Sequence, residues 1–146
     1  MKLIVIIPLY IEKTKEYDLV IASRYIKNGK WGEGTEQKRS KISELGNKYA
    51  KWVLNCSIND MTGGYNIWTK KALETINIDN IMAKGYLFQI EMKYYAYKHN
   101  LKILEYPFVF GKRLDGESKI SKKIIFEAFT QIWKIRFAKK QKFNKN

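Results

Sequence analysis

Residues 112–121, KRLDGESKIS, carry three bases, two acids, one glycine and two serines, directly after the apolar run ILEYPFVF. Taken alone the peptide is a surface turn. Arg113 and Lys119 flank Gly116 and Ser118 within it. A second basic constellation lies in SRY and KRSKIS. Arg24 falls at the C-terminal end of a strand-like run, the edge at which α/β sheets bind ligands. Arg39 and Ser43 are four apart, on one face of a helix. Arginines placed this way suit an anionic ligand, and their types alone do not choose its class. The plainer alternative is that Lys38 and Arg39 line a solvated helix start. FQIEM sets Gln89 and Glu91 two apart, as orienting groups or as solvated helix side chains. DMTGG offers Asp60 and Thr62, where Asp is also an ordinary turn former.

Positioning these groups takes alternating strands and helices. LIVIIPL (3–9) and DLVIASRY (18–25) are β-branched apolar runs, the pattern of strands covered on both faces. Ile42, Leu45, Tyr49, Trp52 and Val53 recur at three and four between Lys38 and Leu54, which predicts an amphipathic helix. YNIW reads as a short strand and Thr69 as the N-cap of the helix after it. Residues 85–100 read as a helix, and 101–110 as a strand that Pro107 places near an edge. A last helix runs from about Ser121 to Lys140. The fold class is α/β. One feature is out of place. Two buried strands of a parallel sheet need a crossover of about a dozen residues, and only YIEKTKEY separates 3–9 from 18–22. Either the two pair antiparallel or a section that once lay between them is absent.

The 146 residues suffice for one domain with a core, and 45% hydrophobic content excludes a disordered composition. A formal charge of +14 calls for an anionic partner: nucleic acid, an anionic membrane surface or a phosphorylated ligand. The single cysteine, Cys56, forbids an internal disulfide and fits a reducing, cytosolic setting; after KWVLN it reads as a small packed residue. His99 reads as a turn or helix-end residue, and one His with one Cys excludes a His/Cys zinc site and a Cys-His nucleophile pair. No run reaches 18 apolar residues, so no transmembrane helix is expected, and LIVIIPLY is too short for a signal-peptide core.

The blocks DLVIASRYIKNG, DMTGGYNIWTKKALETI and GYLFQIEMKYYAYKHNLKILEYPFVFGKRLDGESKIS, in that order from about Tyr17 to Ile125, resemble the second half of the dolichol-phosphate (polyprenol-phosphate) mannosyltransferases, in glycosyltransferase family 2. The resemblance implies an incomplete GT-A, Rossmann-like fold: a truncated glycosyltransferase domain over 1–118 and a basic amphipathic helix and tail over 119–146. It implies transfer of a hexose, expected to be mannose, from a nucleotide sugar such as GDP-mannose to a polyprenyl or dolichyl phosphate, with inversion. By resemblance Arg24, Arg39 and Ser43 hold the acceptor phosphate, and Asp60, Gln89 and Glu91 face the sugar and acceptor as the catalytic group. The segment R-x-x-G-x-S-K, here Arg113, Gly116, Ser118 and Lys119, becomes a mobile loop that closes on the donor phosphates and stabilises the departing charge.

The chain also departs from the pattern. The family opens with a strand ending in P-x-Y-N-E; IPLYIE keeps Pro8, Tyr10 and Glu12 but has Ile11 in place of Asn. The family then carries a D-D-G-S turn and a D-x-D pair that holds Mg²⁺ or Mn²⁺. This chain passes from Glu12 to Asp18 and contains no D-x-D, and IDN at 78–80 has one carboxylate, so the expected metal ligands are missing. Losing them removes most metal-assisted stabilisation of the leaving group. The reading is a glycosyltransferase without the middle of its donor-binding half and with its acceptor side intact. The alternative is a catalytically inactive remnant or accessory protein that binds lipid phosphate at the membrane. A nucleic-acid-binding module is the third class, and no known motif for it is present.

From Lys119 to Asn146 there are nine Lys or Arg and one acid. A basic helix with Ile124, Phe129, Trp133 and Phe137 suits an anionic bilayer surface; the alternative is a helix packed on its own domain. The expected location is the cytoplasmic side of a membrane, held peripherally or by a membrane-anchoring partner subunit.

Overall fold

The computed structural model describes residues 10–32, 37–111 and 122–138. In chain order these give β1 (Leu19–Ser23), β2 (Lys30–Trp31), α1 (Gln37–Leu54), β3 (Asn66–Trp68), α2 (Lys70–Ile76), a 3-10 turn (Ile78–Asn80), α3 (Tyr86–Lys98), β4 (Ile103–Pro107), β5 (Val109–Phe110) and α4 (Lys122–Phe137). The mixed α/β class is as the alternation implies. The strand expected at 3–9 lies outside the described residues, and residues 10–13 are helical.

β1 is buried along its length because it is the middle strand of the order β3-β1-β4. It pairs antiparallel with β3, Leu19 opposite Trp68, and parallel with β4, Leu19 opposite Ile103 and Ser23 opposite Pro107. Successive side chains then face opposite layers. Leu19 and Ile21 enter the main core with Ala50, Leu54, Ile90 and Ile132 of the helices. Val20 and Ala22 pack with Tyr10 and against Ile67, Leu104 and Tyr106.

The run 101–110, read above as one strand, is two. Proline has no N–H with which to extend a ladder, and β4 stops at Pro107. Phe108 then donates its N–H to the Ser23 carbonyl at 2.9 Å and accepts from the Lys30 N–H at 3.1 Å. The chain so steps from β1 to β2, with Trp31 opposite Phe110. Pro107 does lie on an outer strand of the three.

The helix ends follow local chemistry. The Thr69 hydroxyl accepts from the Ala72 N–H at 3.1 Å, as an N-cap does. Asn55, Asn77 and Asn100 follow α1, α2 and α3 with φ of 49°, 50° and 53°, the left-handed turn that Asn tolerates and that ends helices. His99 occupies the C-cap of α3. Cys56 is buried in the main core, and burial pushes its thiol pKa up.

α4 packs on α1. The Tyr49 and Phe129 rings lie 4.3 Å apart, the Trp133 indole N–H donates to the Tyr49 hydroxyl at 2.8 Å, and Arg136 Nη1 donates to the Leu54 carbonyl at 3.0 Å. Ile132 and Ile135 are buried there, while Phe126 and Phe137 of α4 and Trp52 of α1 are each more than 70% exposed. The last helix therefore packs on its own domain by one stripe and turns aromatics to solvent by another. No helix among the described residues is long and apolar enough to cross a membrane.

Candidate functional site

The site is built around the turn Asn59–Gly63, between α1 and β3. Five residues with few repeating hydrogen bonds need other partners for their backbone groups, and side chains from three elements supply them. Glu105 of β4 accepts the Asn59 N–H at 2.8 Å and the Asp60 N–H at 2.9 Å. Asn47 of α1 accepts the Met61 N–H at 2.7 Å and donates to the Asn59 carbonyl. Lys93 of α3 donates to the carbonyls of Asp60 and Gly63, each at 2.7 Å. Asp60 accepts the Gly63 N–H at 2.8 Å, closing the turn on itself.

The turn in turn holds Arg24, the first residue after β1. Arg24 Nε and Nη2 each lie 2.8 Å from an Asp60 oxygen, its backbone N–H donates to Asp60 at 3.0 Å, and Nη2 also donates to the Thr62 hydroxyl at 2.9 Å. Thr62 Oγ1 is 3.3 Å from Ser43 Oγ, which accepts from the Tyr25 hydroxyl at 3.2 Å. The Arg24 guanidinium stacks against Trp31, 4.5 Å from the ring centre, with the Tyr25 ring at 5.1 Å and Phe110 at 5.8 Å. Gly29 makes this approach possible: a Cβ there would stand 2.3 Å from the Ser23 carbonyl oxygen.

Burial opposes charge at both members of the pair, and the contact between them outweighs it. The Arg24 pKa is raised, against desolvation, by hydrogen bonding and attraction to Asp60. The Asp60 pKa is lowered, again against desolvation, by the Arg24 bonds and charge. Lys93 behaves differently: burial lowers its amine to about 8 and Arg24 adds to the effect, while Asp60 and Glu105 oppose it.

Of the residues singled out in the sequence, the structure gathers Arg24, Asp60 and Ser43 into one hydrogen-bonded array. Gln89 reaches the same turn from the far side: its Oε1 accepts from Asn66 Nδ2 at 2.7 Å, which also donates to the Gly63 carbonyl at 3.2 Å. Glu91 does not join them. It is fully buried, not the solvated helix carboxylate weighed above, and its Oε2 accepts the N–H groups of Met82 and Ala83 at 3.1 and 2.7 Å. Arg39 sits in the first turn of α1, four residues before Ser43, with its side chain outside the described set. Arg113, Gly116, Ser118 and Lys119 lie outside the described residues.

The chain is 34% identical over 126 residues to the undecaprenyl-phosphate mannosyltransferase of Micrococcus luteus, covering 86% of this chain and 51% of that protein. It is also 34% identical over 124 residues to the polyprenol monophosphomannose synthase of Mycolicibacterium smegmatis, covering 82% of this chain and 45% of that protein. The chain is a relative of the polyprenol-phosphate mannosyltransferases. It spans about half the length of the curated relatives it matches. No family model matches it.

For a mannosyltransferase relative, the carboxylates are the first place to look for a divalent cation. Asp60 is committed to Arg24, and Glu91 and Glu105 to backbone N–H groups. No three His, Cys, Asp or Glu side chains gather among the described residues. These carboxylates do not fit Mg²⁺ or Mn²⁺, which need several open oxygen ligands.

The residues missed in the sequence are those that hold the turn: Asn47, Lys93 and Glu105. Each left a signal. Lys93 interrupts MKYYAY and Glu105 interrupts ILEYP, and a charge inside an apolar run is a charge that the fold must partner.

Proposed function

We propose that the chain forms the acceptor-binding part of a membrane-associated hexosyltransferase of GT-A type, which moves mannose from a nucleotide sugar to a polyprenyl phosphate. The observation that carries this reading is the array Tyr25–Ser43–Thr62–Arg24–Asp60 at the C-terminal end of β1, in a relative of enzymes named for that lipid class. Hydroxyl donors stand beside a guanidinium whose charge is fixed by its buried partner, a setting that suits a phosphate dianion. Arg39, on the Ser43 face of α1, would add a second guanidinium.

The chemistry asks little more of the acceptor side. A phosphate monoester has a second pKa of about 6 and arrives at neutral pH as its own nucleophile. Asp60 and Glu91 face N–H donors inside the protein, so neither is placed as a base. An acceptor phosphate oxygen forms the bond to the anomeric carbon while the bond to the nucleotide diphosphate breaks on the opposite face, which inverts the configuration. Arg113 and Lys119, with Ser118 and Gly116 between them in sequence, would take up the departing negative charge. The outward aromatics of α1 and α4 suit attachment to the bilayer that holds the lipid, alone or beside a membrane-anchoring subunit.

Calorimetric titration of the full chain with farnesyl phosphate, with farnesol as control, tests the acceptor site. Binding of the phosphate and not the alcohol supports the reading, and equal or absent binding by a folded chain refutes it. Titration with GDP-mannose, with and without Mn²⁺, asks separately whether a donor site is present.

A further inference from the structure

Lys93 is a buried charge that the acceptor chemistry does not use. It lies in α3 between Met92 and Tyr94 and is fully buried. An ammonium taken out of water costs stability unless it is fully partnered. Its partners here all belong to one turn: the carbonyls of Asp60 and Gly63 at 2.7 Å and that of Met61 at 3.4 Å. The Asp60 and Thr62 side chains of that turn are the ones that meet Arg24. Glu105 and Asn47 hold the N–H side of the turn, and Lys93 holds its carbonyl side. A methionine would fill the same core volume and leave the Asp60 carbonyl without this donor. The charged and titratable groups that face the amine are Asp60 in the turn, Arg24 after β1, Glu105 of β4 and Cys56 after α1.

We propose that Lys93 is a positioning residue for the phosphate-binding face: its ammonium gathers the carbonyls of Asp60, Met61 and Gly63 and so fixes where Thr62 and Asp60 meet Arg24. The proposal rests on the acceptor reading above. An ammonium has three donors and a charge that draws carbonyls together, whereas the neutral amine has two weaker donors. Burial brings the change between these forms to about pH 8. The face is therefore firm below that pH and looser above it. An acceptor phosphate is already a dianion through this range and adds no titration of its own.

Hydrogen exchange at the Met61 and Gly63 amides of the full chain, corrected for intrinsic rates from about pH 7 to about pH 9.5, reads the turn directly. Farnesyl phosphate titrations in the same buffers read the face. Protection and affinity should each fall about tenfold, with a midpoint near pH 8. In Lys93→Met both should be low at every pH, with no midpoint. Flat protection in the wild type, or wild-type protection in Lys93→Met, overturns the proposal. Should Lys93→Met fail to fold, the wild-type profile decides alone. A wild type with the protection midpoint but no farnesyl phosphate binding at any pH overturns the acceptor reading, and leaves the hold of Lys93 on the turn supported.

Discussion

The Arg24 guanidinium meets both carboxylate oxygens of Asp60 at 2.8 Å, with the two side chains 8% and 0% exposed. The pair joins the end of β1 to the turn before β3, so its loss is felt in the sheet and the site together. Asp60→Asn keeps the shape and leaves a buried guanidinium uncompensated. Urea unfolding should show a loss of about 3–5 kcal/mol. A loss below about 1 kcal/mol would mean that water reaches the site. The pH dependence has a definite sign. Asp60 has a folded pKa below its ordinary 3.8, so its contribution is complete above that value and is lost as pH falls through the lower, folded one.

Lys93 has the opposite sign. Its folded pKa, about 8, lies below the 10.5 of a free lysine. Between these values the unfolded chain binds a proton that the folded chain does not, so stability rises with pH across the window. Below about pH 8 both states are charged and the folded state bears the full cost of burial. The gain from pH 8 to 10.5 should be on the order of 3 kcal/mol. Denaturation midpoints measured across that range should rise in the wild type relative to Lys93→Met, and parallel curves would show that the amine titrates normally. Global stability and local order thus move in opposite directions, since relief of desolvation accompanies weaker bonds to the turn.

Much of this fold was legible because its signals are local. β1 shows an apolar run around Val20 and Ile21, α2 the cap at Thr69, and α1 a three-and-four repeat that located the helix but not its buried face, since Leu45 and Trp52 of the repeat are exposed. The break at Phe108 was not legible, because it depends on the Ser23 carbonyl, far away in sequence, that receives its N–H. The site divides in the same way. Arg24 and Ser43 were marked by position, the end of a strand and one face of a helix. That Asp60 would be the partner of Arg24 follows from the turn, and the turn is held by Glu105, Asn47 and Lys93, whose roles arise only when three elements meet. Glu91 shows the reverse error: helical periodicity put no environment on it, and the loop at Met82 and Ala83 closes over it.

Gly29 offers a test of how tightly the end of β1 is held. A Cβ at this position would meet the Ser23 carbonyl oxygen at 2.3 Å and the Arg24 carbonyl carbon at 3.0 Å, both backbone atoms that cannot swing aside. Gly29→Ala should therefore cost about 1–3 kcal/mol. Because the displaced atoms carry Arg24, the substitution should also weaken farnesyl phosphate binding. An alanine variant as stable as the wild type, measured by thermal unfolding, would show that the turn over 26–29 has room to shift.

The outward face of α1 and α4 yields the last prediction. Phe126 and Phe137 are each 73% exposed and Trp52 is 71% exposed, in a chain of net charge +14. Exposed aromatics beside bases gain twice at an anionic bilayer, by burial of apolar area and by charge. Neither Phe is buried in the core, so Phe126→Ser with Phe137→Ser should change stability by no more than about 0.5 kcal/mol each. Burying one Phe side chain is worth about 1.5–3 kcal/mol, so the pair should weaken sedimentation with phosphatidylserine vesicles about a hundredfold or more. Salt should weaken wild-type binding through screening of the charge component, and neutral phosphatidylcholine vesicles should bind less tightly at any salt. A double variant that sediments like the wild type would exclude these two residues as the contact. Equal binding to both lipids would exclude the role of charge.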